Sequence, residues 1–216
     1  MGRIIDIVLP AIPQTLVMVI ASTIIALLIG IPLGIILTTT RPGGLTESTK
    51  LYSILDGIIN ILRSFPFVIL MIVVFPLSRL IVGKSYGTAA MIIPLSLSAA
   101  PFVARLMEGY FIQVDQGIIE AAKSMGSTKR EIIFKVLIPE AMPMVVTGIT
   151  MTIINVIGYS AMAGVMGGGG LGDVANRYGY QRNEPLILWS AVIVIIILVQ
   201  IVQLIGNKIA DKIDRR

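Results

Sequence analysis

Long unbroken apolar runs constrain this chain more than any other feature. A helix rises about 1.5 Å per residue, so about 20 apolar residues cross the hydrocarbon core of a bilayer. Five segments reach that length, roughly 15–37, 55–77, 87–106, 144–165 and 186–205. Inside lipid the backbone must satisfy its own hydrogen bonds, which leaves helices as the solution for such runs. The expected fold class is an all-α integral membrane protein with five transmembrane helices in a single domain, residues 1–216. Charged residues are only 13% of the chain, about half the share of a soluble domain. The longest connections are roughly 41–56, 107–143 and 166–185, too short for a soluble domain. The first run carries Pro32 and lacks a small-residue cleavage site, so it reads as a retained span rather than a signal peptide.

The net charge of +5 reads as topology and not as nucleic-acid binding. Arg41, Lys50, Arg105, Lys123, Lys129, Arg130, Lys135, Lys208, Lys212, Arg215 and Arg216 fall on one side of the predicted spans. Arg3, Arg79, Lys84, Arg177 and Arg182 fall on the other, and Arg63 lies within the second run. The richer side is cytoplasmic by the positive-inside rule. The N-terminus is then outside, the C-terminus is cytoplasmic, and the 107–143 loop faces the cytoplasm. Ile205, Ile209 and Ile213 recur every four residues, so the tail is expected along the inner headgroups.

Several chemistries drop out. The chain has no Cys and no His, which removes disulfides, thiol chemistry and the commonest acid–base group and metal ligand. Ser160, in Gly158–Gly164, lacks a base and a G-x-S-x-G elbow, so it is no nucleophile. Glu108, Asp115, Glu120, Glu131 and Glu140 all fall on the cytoplasmic side, leaving no carboxylate pair deep in a span. The run Gly167–Gly172 is followed by Asp173 instead of the Lys of a phosphate loop, so it holds no nucleotide. Its favoured reading is a flexible external turn. The alternative is a point where the backbone re-enters or meets a partner.

Gly30, Pro32 and Gly34 imply a kink or close helix packing. Arg63 is the one formal charge well inside a run, at a cost of about 2.5 kcal/mol or more at the bilayer centre. Either its helix begins earlier, near Tyr52, and it pairs or reaches water, or it lines a path. Ser64 and Pro66 beside it suit a cavity wall. Met162 shares a helical face with Gly158 and Met166, a pattern more often of packing than of function.

Residues 120–139 form the best-defined polar segment. Asp115 is placed to N-cap a helix. Ile118, Ala121, Ala122 and Met125 share a face. Gly126 stops the helix, Thr128 and Glu131 have capping-box spacing for a second one, and Pro139 ends that helix's first apolar run. The first helix either rests on lipid headgroups or docks on a partner, and spacing alone leaves both open.

Glu120-Ala121-Ala122, then Gly126, then Val136-Leu137-Ile138-Pro139 resembles the EAA signature of ABC importer permeases. Val136 and Ile138 stand where that signature has Ile and Leu. The resemblance implies that Glu120, Ala121, Ala122 and Gly126 belong to a coupling helix that docks into a separate cytoplasmic ATPase. The resemblance narrows to methionine importer permeases through 41–43, 60–67, 100–105, 158–162, 169–172 and 178–180. It implies a type I importer permease fold in a bacterial cytoplasmic membrane, working as a homodimer with two ATPase subunits and an extracytoplasmic methionine-binding protein. It implies that ATP and magnesium are bound by the ATPase, that this chain is no enzyme and holds no cofactor, and that D- or L-methionine is the cargo. It places Met162 at the gate between subunits, which replaces the packing reading, with Ser160, Arg63 and Ser64 completing the gate and pathway set. The rival readings are a permease for another small solute, such as a polar amino acid or an osmolyte, and an intramembrane enzyme or passive channel.

Overall fold

The computed structural model describes residues 2–214, and every regular element among them is helical. A short helix α1 (Gly2–Val8) turns at Leu9 and Pro10 into the long α2 (Ala11–Thr40). Both ends of α2 outrun the predicted 15–37. The Thr38, Thr39 and Thr40 hydroxyls donate back to the carbonyls of Gly34, Ile35 and Ile36, which keeps three polar side chains satisfied in the last turn.

The second run is not one straight helix. It divides into α3 (Thr49–Ser64) and α4 (Phe67–Val82), bent by 106°. Proline removes an N–H and disfavours helical backbone in the residue before it. Phe65 accordingly leaves the helix, at φ −69° and ψ 127°. The predicted 55–77 span is thus a broken one. Among the described residues four helices are long and apolar enough to cross a membrane, which makes five spans if this bent pair is one.

The third long helix, α5 (Thr88–Ile112), carries Pro94 and Pro101 without breaking. It packs along α2 at the glycines. A Cβ on Gly30 would lie 2.6 Å from Val103 Cγ1 and 2.8 Å from the Ala100 carbonyl. One on Gly34 would lie 3.0 Å from the Ala104 carbonyl. Of the two expectations for this stretch, close packing is the one realised. Buried Met18, Ala26, Met91, Leu95, Val103 and Met107 surround the contact.

Two short helices follow, α6 (Gln116–Ser124) and α7 (Lys129–Glu131), then a π-helical turn (Ile132–Leu137) into α8 (Ile138–Ala163). Helical backbone runs from Lys129 until Met166 and Gly167, which leave helical angles, so the 107–143 loop shrinks from both sides. Pro139 does not end a run. It sits in the first turn of α8, where a missing N–H costs little. After α9 (Gly170–Val174), the last helix α10 (Pro185–Ile213) lies at the edge, with Trp189 and Leu204 exposed. The C-terminal Ile residues continue α10 and form no separate element; Arg215 and Arg216 lie outside the described residues.

The bundle has two distinct ends. At one, Gly87 N–H donates to the Gly167 carbonyl at 2.8 Å, and Gly170 N–H donates to Gln14 Oε1 at 2.7 Å. At the other, Thr38, Arg41, Gln116, Lys123 and Leu137 line a cavity of about 20 Å³.

Gly30→Val should overpack the α2–α5 contact and cost about 1–3 kcal/mol, read as a lower unfolding midpoint of the detergent-purified protein. Gly57→Ala, where a Cβ meets nothing within 4 Å, should cause no loss.

Candidate functional site

The α6 corner is built by three local devices. Asp115 accepts from Gly117 N–H at 2.7 Å and caps the start. At the end, Gly126 takes φ +80°, its N–H donates to the Lys123 carbonyl, and Ser127 N–H donates to the Ala122 carbonyl. That pair of bonds is a Schellman stop. Thr128 then forms the expected capping box with Glu131: Glu131 N–H donates to Thr128 Oγ1 at 3.3 Å, and Thr128 N–H to Glu131 Oε2 at 3.1 Å. Lys135 donates to Glu131 Oε1 at 3.0 Å. Lys135 and then the Thr128 N–H hold the Glu131 carboxyl at about 2, so it stays charged across any physiological pH.

Of the four residues expected to share a face of α6, only Ala122 is buried. Ile119 and Ala122 point inward, beside Val114, Ile132 and Leu137 in the main core. Ile118 and Met125 are exposed, at 41% and 79%, and Ala121 is exposed with them. The two stripes are neighbours on the helix. Val114, just ahead of the Asp115 cap, is buried in the same core as Ile119 and Ala122. Glu120, Ala121 and Gly126 therefore face outward while Ala122 packs. Exposed Phe134, Lys123, Lys129 and Arg130 complete an apolar and basic surface.

A second region lies at the α3–α4 break. Leu62, Arg63, Phe65, Ser98, Phe102, Asn155 and Tyr159 line a cleft of about 380 Å³. The helix bearing Arg63 does begin early, at Thr49, yet Arg63 makes no ion pair among the described residues. Ser64 turns away from the cleft and donates to the Asn60 carbonyl at 2.8 Å. Tyr159 stacks on Phe67, centroids 4.6 Å apart and rings 9° from parallel. Three residues on from Tyr159, Met162 is 48% exposed. Ser160 is buried and donates to the Ile157 carbonyl at 2.7 Å, so Met162 and Ser160 point in different directions.

Beside the cleft lies a polar network that the span-by-span reading missed. Arg105 donates to Asp56 Oδ1, to Asn60 Oδ1 at 2.9 Å and to Glu108 Oε2 at 2.6 Å. Asn60 donates to Asp56 Oδ2, and Tyr52 to Glu108 Oε1, both at 3.0 Å. Glu108 is only 3% exposed. The signal was available: Tyr52, Asp56 and Asn60 recur every four residues on α3, and Arg105 and Glu108 are one turn apart on α5. Among the described residues no His, Cys, Asp and Glu cluster could hold a metal.

The glycine run is the other correction. Gly168, Gly170, Leu171 and Gly172 are buried. Gly167, Gly169 and Gly170 have φ of +91°, +77° and +74°, a region costly for residues with a Cβ. A Cβ on Gly164 would lie 2.6 Å from Asp173 N, and one on Gly170 2.6 Å from Thr15 Oγ1. Leu171 N–H donates to Thr15 Oγ1 at 2.9 Å. The run is a packed turn, seated against Gln14 and Thr15 of α2.

Residues 30–216 match the family of binding-protein-dependent transport system inner membrane components. The chain belongs to that family. Members are transport components of the bacterial inner membrane, not enzymes, and the fold is that of a type I ABC importer permease. A probable D-methionine transport system permease protein, MetI, of Vibrio cholerae is 47% identical over 211 residues, 98% of this chain and 94% of that one. The methionine import system permease protein MetP of Bacillus subtilis is 44% identical over 181 residues, 84% of this chain and 82% of that one. Among solved structures, an inward-facing conformation of the MetNI methionine ABC transporter superposes with a TM-score of 0.97 at 39% identity, covering 100% of both chains.

Arg105→Met should strand the buried Glu108 carboxylate, which costs several kcal/mol where a pair is fully buried and about 2 kcal/mol at this partly exposed site. That is a fall of about 4–8 °C in melting temperature for a chain of this size. Adding Glu108→Gln to the same variant should recover at least half of it.

Proposed function

We propose that this chain is the membrane subunit of an ATP-driven importer for methionine. The observation that carries this reading is 47% identity, over 98% of the chain, to a protein named as a D-methionine transport permease. The agreement in fold with a methionine transporter at a TM-score of 0.97 supports it. Two copies of the chain, each one permease domain, pair in the membrane. Two ATPase subunits bind ATP and magnesium, and an extracytoplasmic binding protein delivers the amino acid. The end carrying α6 is cytoplasmic and the end carrying the glycine turn is outside, following the excess of Lys and Arg. With the bent pair counted as one span, the N-terminus is outside and the C-terminus inside.

In this scheme α6 is the coupling helix. Ile118, Ala121 and Met125 offer apolar contact to an ATPase surface, and Glu120 offers charge. Force entering α6 meets two rigid corners, the Schellman stop at Gly126 and the capping box at Thr128, and passes into α8. Met162 on α8 is the gate residue. Arg63 lies on the pathway, and Ser64 and Ser160 hold the local backbone behind it. ATP-driven closure of the ATPases shifts the permease pair between inward-open and outward-open states by differential contact with each.

ATP-dependent methionine uptake by the complex in proteoliposomes tests the assignment, and uptake indifferent to excess unlabelled methionine would overturn it. Within the complex, Gly126→Pro and Glu120→Lys should each lower methionine-stimulated ATP hydrolysis at least tenfold while the permease stays in the membrane. Unchanged stimulation in both would refute the coupling role of α6.

A further inference from the structure

We propose that the cleft at the α3–α4 break is a transient binding site for a zwitterionic amino acid, with Arg63 as the anchor of its α-carboxylate. The proposal rests on the reading of the chain as an amino-acid permease and adds where, and by what chemistry, the cargo pauses.

Four polar groups converge on the cleft. Arg63 from α3, Ser98 from α5, and Asn155 and Tyr159 from α8 all line it. None of their side chains has a hydrogen-bond or ion-pair partner among the described residues. The contrast with their surroundings is sharp. Ser96, on the same helix as Ser98, donates to the Ile92 carbonyl at 2.6 Å, and Thr152, near Asn155, donates to the Gly148 carbonyl at 2.7 Å. Small-molecule sites are marked by a few polar groups converging on a largely apolar cleft.

The charge balance selects the partner. The lining holds one cation and no carboxylate. Asp56, the acid on the same helix, is already taken by Arg105 and Asn60. Arg63 thus has no counter-charge among the described residues, and guanidinium is shaped to grip a carboxylate with two parallel bonds. The Ser98 hydroxyl, the Asn155 carbonyl and the Tyr159 hydroxyl are neutral acceptors suited to an ammonium group. Leu62, Phe65 and Phe102 supply an apolar wall for a side chain. The volume, about 380 Å³, lies in the range of about 300–1,000 Å³ typical of small-molecule sites. A cargo with net positive charge finds no acid here and is repelled by Arg63.

The test uses the permease–ATPase complex in lipid nanodiscs without the extracytoplasmic binding protein. The probe is a methionine analogue carrying a diazirine in its side chain, and adducts are mapped by mass spectrometry. Labelling is expected on peptides containing Phe65, Phe102 or Tyr159. N-acetylmethionine should compete, whereas methionine amide and lysine should not. Arg63→Gln should reduce labelling at least tenfold and Arg63→Lys should retain a substantial part, with both complexes eluting as assembled particles. Labelling of the cleft that is equal in wild type and Arg63→Gln, or absent in the wild type, would overturn the site. So would labelling that anionic lipid abolishes, since Arg63 would then belong to a lipid phosphate. Methionine uptake by wild-type proteoliposomes is measured in parallel. Uptake with no cleft labelling removes the site and leaves the transport reading standing, and Arg63-dependent labelling without uptake does the reverse.

Discussion

The close approach of α2 and α5 is the contact on which the rest of the bundle depends. Lipid tails are as apolar as leucine, so helices in a bilayer gain nothing from merely hiding apolar surface from water. They gain from contact at short range, and Gly30 and Gly34 permit it. That contact places Met18, Met91 and Met107 in one core with the inner face of α8. It also orients α5, which presents Arg105 and Glu108 to α3 on one side and Ser98 and Phe102 to the cleft on another.

Where the chain departs from straight spans, the cause is local and chemical. Pro66 has no N–H to give, so α3 and α4 part at an angle and leave a cleft in the corner. The glycine run admits backbone where a Cβ would collide, so the segment after α8 folds back against Thr15 on α2. Charges follow the same logic. Arg105 is surrounded by acceptors and acts as a clamp between helices, whereas Arg63, 42 residues earlier in the chain, has no acceptor among the described residues.

Much of this was legible in the sequence because membrane spans are written in long runs and caps in short ones. The five apolar segments, the Asp115 cap, the Gly126 stop and the Thr128–Glu131 box all follow from spacing along one helix. The misses share a different origin. That Ile119 and Ala122 are the residues of α6 that enter the core depends on Ile132 and Leu137 beyond the Gly126 corner, which spacing within one helix does not report. The burial of the glycine run depends on Gln14 and Thr15, 156 positions away. The network around Arg105 joins residues 45 and 49 positions apart. Periodicity reports the face of an element and is silent about which neighbour will meet it. Pro66 is a partial case: a cavity wall beside Arg63 was readable, but the 106° bend needed the positions of α4 and α5.

The two ends of α8 are held very differently, and leverage follows from that. At its far end the chain is knotted to α2 and to the start of α5 by the hydrogen bonds of Gly170 with Gln14 and of Gly167 with Gly87. At its near end Ala141 and Val145 pack into the core, and the helix runs on through a π-helical turn to the α6 corner. A rod of 26 residues is about 39 Å long. If the knotted end acts as a fulcrum, a tilt of about 5° displaces the near end by about 3 Å, on the scale of one side-chain contact. Asn155 and Tyr159, which border the cleft about 12 Å and about 6 Å from the fulcrum, then move by only about 1 Å and about 0.5 Å, so the cleft wall stays nearly still while the coupling end swings.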